Sequence, residues 1–173
     1  MKIVSSEVVY QGRLTTVRYL LEDENGRRFT NETVEHPGAV VVLPITEQGE
    51  IVCVSQYRHA VRSTILELPA GTLERDEDPL ECARREITEE IGMGARRISS
   101  LGTIFPCPGF CSEEQHLFVA RELYVDVGTP DEDERISVVK MSVSAFEEAI
   151  LSGKVKDGKT LALFSRARLA GEV

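Results

Sequence analysis

The 173-residue sequence has no tryptophan, only 6% aromatic residues and only four cysteines. Cys53 falls in a strand-like run and Cys82 in a helix-like run, where a lone cysteine usually acts as a small buried hydrophobe. Cys107 and Cys111 lie close together, but no second Cys or His pair at zinc-site spacing accompanies them. The cysteines therefore argue against a structural zinc site and against a secreted disulfide framework.

The sequence also lacks a long apolar run and an excess of positive charge. No segment approaches the length of a membrane span, and residues 1–7 contain no apolar core of a secretory signal. The formal net charge of −9 argues against a nucleic-acid backbone as partner. We therefore expect a cytoplasmic protein with no membrane or nucleic-acid partner, in which any anionic substrate needs local cations.

The first third of the chain is rich in β-structure signals. Predicted strands at 8–10, 15–21 and 29–34 surround Asn25-Gly26, a pair typical of hairpin turns. We expect residues 1–35 to form an antiparallel β-arm, followed by one domain spanning 36–173.

The rest of the chain alternates strands and helices. Strands are predicted at 39–43, 51–54, 65–68, 98–105, 115–122 and 136–141, and helices at 78–91, 145–151 and 160–169. Asp78 and Gly92 are suitable caps for the first helix, and Ser144 for the second. This order predicts an α+β fold in which helices flank a sheet.

Glutamates line one flank of the 78–91 helix, away from its apolar stripe. At helical spacing Glu86 and Glu90 lie one turn apart, with Glu89 beside them. A solvated acidic face relieved by Arg84 and Arg85 would give this pattern. So would a site for a hard cation such as Mg²⁺, which takes oxygen ligands.

The spacing of fixed residues favours the cation site. The pattern G-x5-E-x7-R-E-U-x-E-E-x-G-U, with U apolar, runs through Gly71, Glu77, Arg85-Glu86-Ile87, Glu89-Glu90 and Gly92-Met93. Fixed positions over 23 residues are far more specific than a lone glycine motif. The sequence resembles the Nudix hydrolase family, which implies an α/β/α sandwich with a mixed β-sheet.

The resemblance also implies roles for the motif. Glu86 and Glu90 would bind Mg²⁺, or Mn²⁺ in its place, and Glu89 would assist them or hold a second ion through water. The carbonyl of Ala70 would join the metal shell. Arg85 would orient the carboxylates by ion pairing, since a guanidinium offsets their mutual repulsion.

The flanking segments resemble the ADP-ribose pyrophosphatase subfamily. Tyr57 and Arg58 belong to a Gln-Tyr-Arg segment, and Gly109 to a Pro-Gly loop followed by Glu113. This implies that Arg58 binds the substrate diphosphate, with Tyr57 and Gly109 nearby, and that Glu113 is a mobile base. Glu114 is the rival base, and a glutamate of the box could also serve.

The implied reaction converts ADP-ribose and water into AMP and ribose 5-phosphate, and the implied assembly is a homodimer joined by the 1–35 arm. The sequence departs from the subfamily at Cys107, usually Ser, and at Ser112, often Asp. GDP-mannose, another nucleotide sugar or a dinucleotide would suit the same metal box. A nucleotide sensor without activity is a further alternative, although such domains usually have damaged boxes.

Overall fold

The structure is a computed structural model that describes residues 1–126 and 136–173. Within these ranges the chain forms ten strands, three α-helices and a short 3-10 helix, His59–Val61. In chain order the strands and α-helices are β1 Lys2–Gln11, β2 Thr15–Glu22, β3 Arg28–Glu35, β4 Ala39–Pro44, β5 Glu50–Arg58, β6 Ser63–Glu67, β7 Ala70–Thr72, α1 Pro79–Ile91, β8 Met93–Ile104, β9 Gln115–Val125, β10 Ile136–Ser142, α2 Val143–Leu151 and α3 Gly158–Leu169.

The N-terminal arm is an antiparallel sheet in the order β1-β2-β3. Its β2–β3 turn is a five-residue loop, 23–27, in which the Asp23 carboxylate accepts hydrogen bonds from the backbone N–H groups of Asn25 and Arg27, each at 2.9 Å. The arm contacts the rest of the chain through Val34, whose N–H donates to the Phe110 carbonyl at 2.7 Å. This contact joins β3 to the loop that precedes β9.

The remaining strands form two sheets between layers of helices. One sheet has the order β7-β4-β9-β8 and the other β10-β5-β6. The β4–β9 pair is parallel and the other strand pairs of these sheets are antiparallel, so the sheet arrangement is mixed. The predicted α+β class with a mixed sheet is confirmed.

Alternation along β4 and β5 builds a core on each face of the sheets. Val40 and Val42 pack with the apolar stripe of α1, whereas Val41 and Leu43 pack with α2 and α3. On the second face the rings of Phe146 and Phe164 lie 4.9 Å apart between centroids. Both faces of the strands are therefore covered, which explains their continuous apolar sequence.

The α1 helix begins and ends where the sequence predicts. The Asp78 carboxylate accepts from the N–H of Leu80 at 2.8 Å, and Pro79 occupies the first helical position. Gly92 ends the helix with φ 64°, a left-handed conformation that favours glycine. Since β8 starts at the next residue, Gly92 turns the chain directly from helix to strand.

Other boundaries differ from the prediction. Ser142, not Ser144, caps α2, since its hydroxyl accepts from the N–H of Ala145 at 3.2 Å. Asp157 caps α3, so that helix starts at Gly158 rather than at residue 160. The three-residue strand β7 was not predicted, because it is too short to show a period.

No helix in the described part of the chain is long and apolar enough to cross a membrane.

Candidate active site

Two backbone positions of β7 receive the glutamates of α1. The N–H of Ala70 donates to Glu90 Oε2 at 3.1 Å. A Cβ at Gly71 would lie 1.7 Å from Glu86 Oε1, so the carboxylate occupies space that only glycine leaves open. The short β7 strand thus fixes both carboxylates against one stretch of backbone.

Arg85 is the centre of the carboxylate cluster. Its Nε and Nη2 donate to the two oxygens of Glu77 at 2.9 and 3.0 Å. Its Nη1 donates to Glu86 Oε1 at 2.7 Å and to Glu89 Oε2 at 3.0 Å. A bidentate guanidinium pair is both strong and directional. The contacts match the orienting arrangement expected of Arg85, whose catalytic role stays a prediction.

The same contacts shift the ionisation of the cluster. The hydrogen bond from Arg85 lowers the pKa of Glu77 to about 2, and the backbone N–H of Glu74 acts in the same direction. The pKa of Arg85 is raised, chiefly by the hydrogen bond to Glu77. Glu77 is therefore a permanent anion at neutral pH that keeps Arg85 in place.

The donor set fits a hard divalent cation that keeps most of its own water. Glu86 and Glu90 are 8% and 7% exposed and supply buried carboxylate oxygens. Within residues 1–126 and 136–173, no three His, Cys, Asp or Glu side chains converge closely enough to enclose a metal ion. Mg²⁺ is usually held by one or two carboxylates together with water and substrate phosphate, so a closed cage is not needed.

Arg58 lies beside this cluster at the end of β5. Its Nε and Nη2 donate to the two oxygens of Glu67 at 2.7 and 3.0 Å, and the Glu67 side chain is completely buried. The pKa of Arg58 is raised chiefly by the hydrogen bond to Glu67, and the negative charge of Glu90 raises it further. Arg58 is thus held rigidly, close enough to Glu90 for their charges to interact.

Glu113 lies two residues before the start of β9. Its Oε1 accepts from the amide Nε2 of Gln115 at 2.9 Å, and Gln115 is only 5% exposed. Ala39 of β4 is paired with Gln115 on one side and with Thr72 on the other. Since neighbouring strands lie about 4.8 Å apart, the backbone of Gln115, which holds Glu113, lies roughly 10 Å from that of Thr72, whose carbonyl accepts from Arg85.

Gly109 and Tyr57 lie on elements other than the glutamate helix. Gly109 lines a cavity of about 250 Å³ between the arm and the loop before β9, to which Tyr19 also contributes. Tyr57 is 53% exposed and pairs with Thr64 across β5 and β6. The roles of these predicted substrate-binding residues stay predictions.

Sequence reasoning missed three residues that hold the site together: Glu67, Gln115 and Lys159. Lys159 contacts the Glu67 carboxylate from α3, across 92 positions of sequence. The signal for Glu67 was a lone acid in an apolar run, since buried carboxylates are almost always paired. Gln115 and Lys159 gave no comparable local signal.

A mixed sheet between helical layers, with one arginine ordering three glutamates of a helix and its approach beside a short glycine-containing strand, is the arrangement of a hydrolase of Nudix type. The sequence model described as NUDIX domain matches residues 35–164. The chain belongs to this family and is a Nudix pyrophosphohydrolase. Hydrolases of this family generally use divalent cations.

Individual relatives cover most of the chain. The ADP-ribose pyrophosphatase of Bacillus subtilis (strain 168) is 36% identical over 163 residues, covering 92% of this chain and 88% of the relative. A GDP-mannose pyrophosphatase of Yersinia enterocolitica is 33% identical over 144 residues, covering 78% and 74%. A crystal structure of an ADP compounds hydrolase shares the fold, with a TM-score of 0.87 at 24% identity over 99% of this chain and 95% of that one.

Proposed function

We propose that this protein hydrolyses the diphosphate bond of ADP-ribose, giving AMP and ribose 5-phosphate, with Mg²⁺ as cofactor. The observation that carries the proposal is the cluster in which Arg85 orders Glu77, Glu86 and Glu89 beside Arg58. This cluster has the charges that a diphosphate and a divalent cation need together. The similarity to an ADP-ribose pyrophosphatase over 92% of the chain supports the choice of substrate.

The cation would be held by Glu86, Glu90 and the carbonyl of Ala70, with Glu89 assisting. When bound, Mg²⁺, or Mn²⁺ in its place, would neutralise phosphate charge and lower the pKa of attacking water. Neighbouring residues fix the positions of the three carboxylates. Ala70 and Gly71 fix Glu90 and Glu86 from the backbone side, and Arg85 fixes Glu86 and Glu89 from the other.

Arg58 would bind the diphosphate of the substrate. A guanidinium carries five N–H donors, and Glu67 accepts from Nε and Nη2 only, so Arg58 can also donate to phosphate oxygens. Its charge is needed because a protein of net charge −9 repels an anionic substrate at long range. Tyr57 and Gly109 would contact the remainder of the substrate.

Glu113 would take the proton from the attacking water. A carboxylate is a competent general base near neutral pH once the water is activated. The hydrogen bond from Gln115 holds Glu113 at the start of β9, and closure over the substrate would bring it toward the diphosphate. Glu114 is its neighbour and the control for this role.

The test is a substrate panel with purified protein. Phosphate released by an added phosphatase reports cleavage, because ADP-ribose has no phosphomonoester until its diphosphate is cut. We expect turnover of ADP-ribose with Mg²⁺, and a loss of more than about 100-fold in E86Q and E90Q because each removes a charged metal ligand. E81Q, on the exposed side of α1, is the matched control.

Two other outcomes define the alternatives. Faster cleavage of GDP-mannose than of ADP-ribose would favour the second substrate, which the similarity to a GDP-mannose pyrophosphatase makes the main competitor. A dinucleotide in the same panel covers the remaining substrate class. Tight binding of ADP-ribose without turnover of any compound would point to a nucleotide sensor.

We further propose that the 1–35 arm joins two copies of the chain into a homodimer. Every residue of β1 is exposed, including Ile3, Val8 and Tyr10 at 61%, 59% and 64%. An exposed apolar edge strand is a hazard unless it is covered. A second copy would bury it and stabilise the arm. The cytoplasmic location expected from the sequence stays a prediction.

A further inference from the structure

A completely buried carboxylate, Glu67, lies between two cations from distant parts of the chain. Arg58 approaches it from β5 with one hydrogen bond to each carboxylate oxygen, and Lys159 Nζ contacts Oε2, one of the same two oxygens, from the first turn of α3. Lys159 is itself only 13% exposed and makes a second ion pair with Asp157 at 3.0 Å. The ammonium group of Lys159 and the guanidinium of Arg58 therefore share one buried carboxylate.

Further hydrogen bonds fix the position of this ammonium group. The Asp157 carboxylate accepts from the N–H and hydroxyl of Thr160 at 3.0 and 2.6 Å. The Thr160 hydroxyl in turn accepts from the N–H of Leu68 at 2.8 Å. The start of α3 is thus bonded to the backbone that leads from Glu67 into Ala70.

Counting charges shows what Lys159 changes. Glu67 with Arg58 alone is a neutral bidentate pair, in which the carboxylate competes with phosphate for the guanidinium. Lys159 adds a second cation to the same carboxylate, and Asp157 balances its charge, so the four groups together are neutral while Glu67 is shared between two cations. Asp157 also lies at the N-terminus of α3, where the helix dipole and N–H groups favour an anion.

We propose that Lys159 is a positioning residue for substrate binding: by sharing the charge of Glu67, it keeps the guanidinium of Arg58 available to the diphosphate. The inference rests on the proposed function only in that Arg58 contacts the diphosphate. Lys159 itself does not touch the substrate. It acts through Glu67, and the effect of removing it depends on Arg58.

The experiment compares K159M with the matched control K156M, because Lys156 is an exposed lysine on the same segment. Affinity for ADP-ribose is measured by calorimetry in EDTA, where no metal-dependent turnover occurs, and KM and kcat are measured with Mg²⁺. We expect K159M to bind roughly 10-fold more weakly and to raise KM with little change in kcat, as for other residues that support a binding group. K156M should behave as the wild type.

Two further variants separate positioning from a purely structural role. K159R keeps the charge and should recover most of the affinity. In an R58M background, adding K159M should cost little more, because the two residues act through one contact. Wild-type affinity in K159M, or the full 10-fold loss persisting without Arg58, would overturn the inference.

The same series distinguishes this inference from the proposed function. A wild type that binds ADP-ribose but cleaves nothing refutes the hydrolase proposal and leaves the Lys159 result readable. If ADP-ribose does not bind, the substrate proposal is wrong, and the variants are compared with inorganic pyrophosphate as the probe. Binding of neither compound overturns both proposals.

Discussion

At the scale of single residues, Glu86 depends on the absence of a side chain at Gly71. A methyl group there would lie 1.7 Å from Glu86 Oε1. We expect G71A to remain folded, because the displaced group is the flexible end of a glutamate, and to lose roughly 10- to 100-fold in kcat/KM as the carboxylate is pushed aside. G158A is the control, since its Cβ would meet open space. Equal activity in the two variants would show that Glu86 does not need the space beside Gly71.

Separate substitutions of the neighbouring Glu113 and Glu114 test which of the two is the general base. General-base catalysis is worth about 100-fold or more, so E113Q should lower kcat by at least that factor while affinity for ADP-ribose changes little. The pH–rate profile should lose its acidic limb in E113Q but not in E114Q. A larger loss in E114Q would move the base by one residue.

The lowered pKa of Glu77 predicts that the folded protein loses stability as the solution becomes acidic. Its folded-state pKa of about 2 lies below the ordinary 4.5, so the ionised group stabilises the fold at higher pH, and this contribution is lost as pH falls toward 2. We expect E77Q to be less stable than the wild type at pH 7 and to depend less on pH between 5 and 2. Denaturant unfolding at several pH values measures this, with the exposed Glu74 as E74Q for control. Parallel pH curves for E77Q and the wild type would exclude the effect.

The motif spacing predicted which side chains come together, because one helix and the short strand before it carry most of them. The metal-binding and catalytic roles of these side chains stay predictions. Arg85 was expected to pair with glutamates, and it contacts three of them. The sequence could not predict Lys159, since its contact with Glu67 depends on how α3 packs 92 residues away. Long-range packing leaves no periodic trace in the sequence.

At the scale of elements, β1 is the strand whose sequence and exposure disagree most. Ile3, Val8 and Tyr10 are exposed although such residues are usually buried. Charged substitutions there, I3E and V8E, should not unfold the monomer but should halve the mass in solution by sedimentation, because they place charge in a dimer contact. L151E on α2 also replaces an exposed apolar residue and should leave the mass unchanged. A dimer that survives both arm variants would remove the arm proposal.

Elements with strong local signals were predicted closely, and those set by packing were not. The α1 helix carries its own caps, so both ends followed from sequence. β8 begins at Met93, five residues before the predicted strand, because its pairing with β9 extends the ladder beyond the apolar run. β7 exists only as a partner for β4 and has no independent pattern.

At the scale of the whole molecule, we predict that the acidic cluster couples metal binding to stability. A cation that binds only the folded state stabilises it by mass action, about 2.7 kcal/mol at 100 times its Kd. We expect Mg²⁺ to raise the Tm of the wild type and to raise that of E90Q much less. Scanning calorimetry with and without EDTA measures this, and E81Q should respond as the wild type. A Tm insensitive to Mg²⁺ and Mn²⁺ would contradict the cation site.

The hydrogen bond between Thr160 and Leu68 has a consequence for biosynthesis. The backbone that leads into β7 is bonded to a residue of α3 that is made 92 residues later in the chain. A nascent chain that has emerged only as far as residue 150 contains every glutamate of the Nudix motif. It still lacks Thr160, whose hydroxyl accepts the hydrogen bond from Leu68. During synthesis the strand that carries Gly71 therefore gains this anchor only after α3 has left the ribosome.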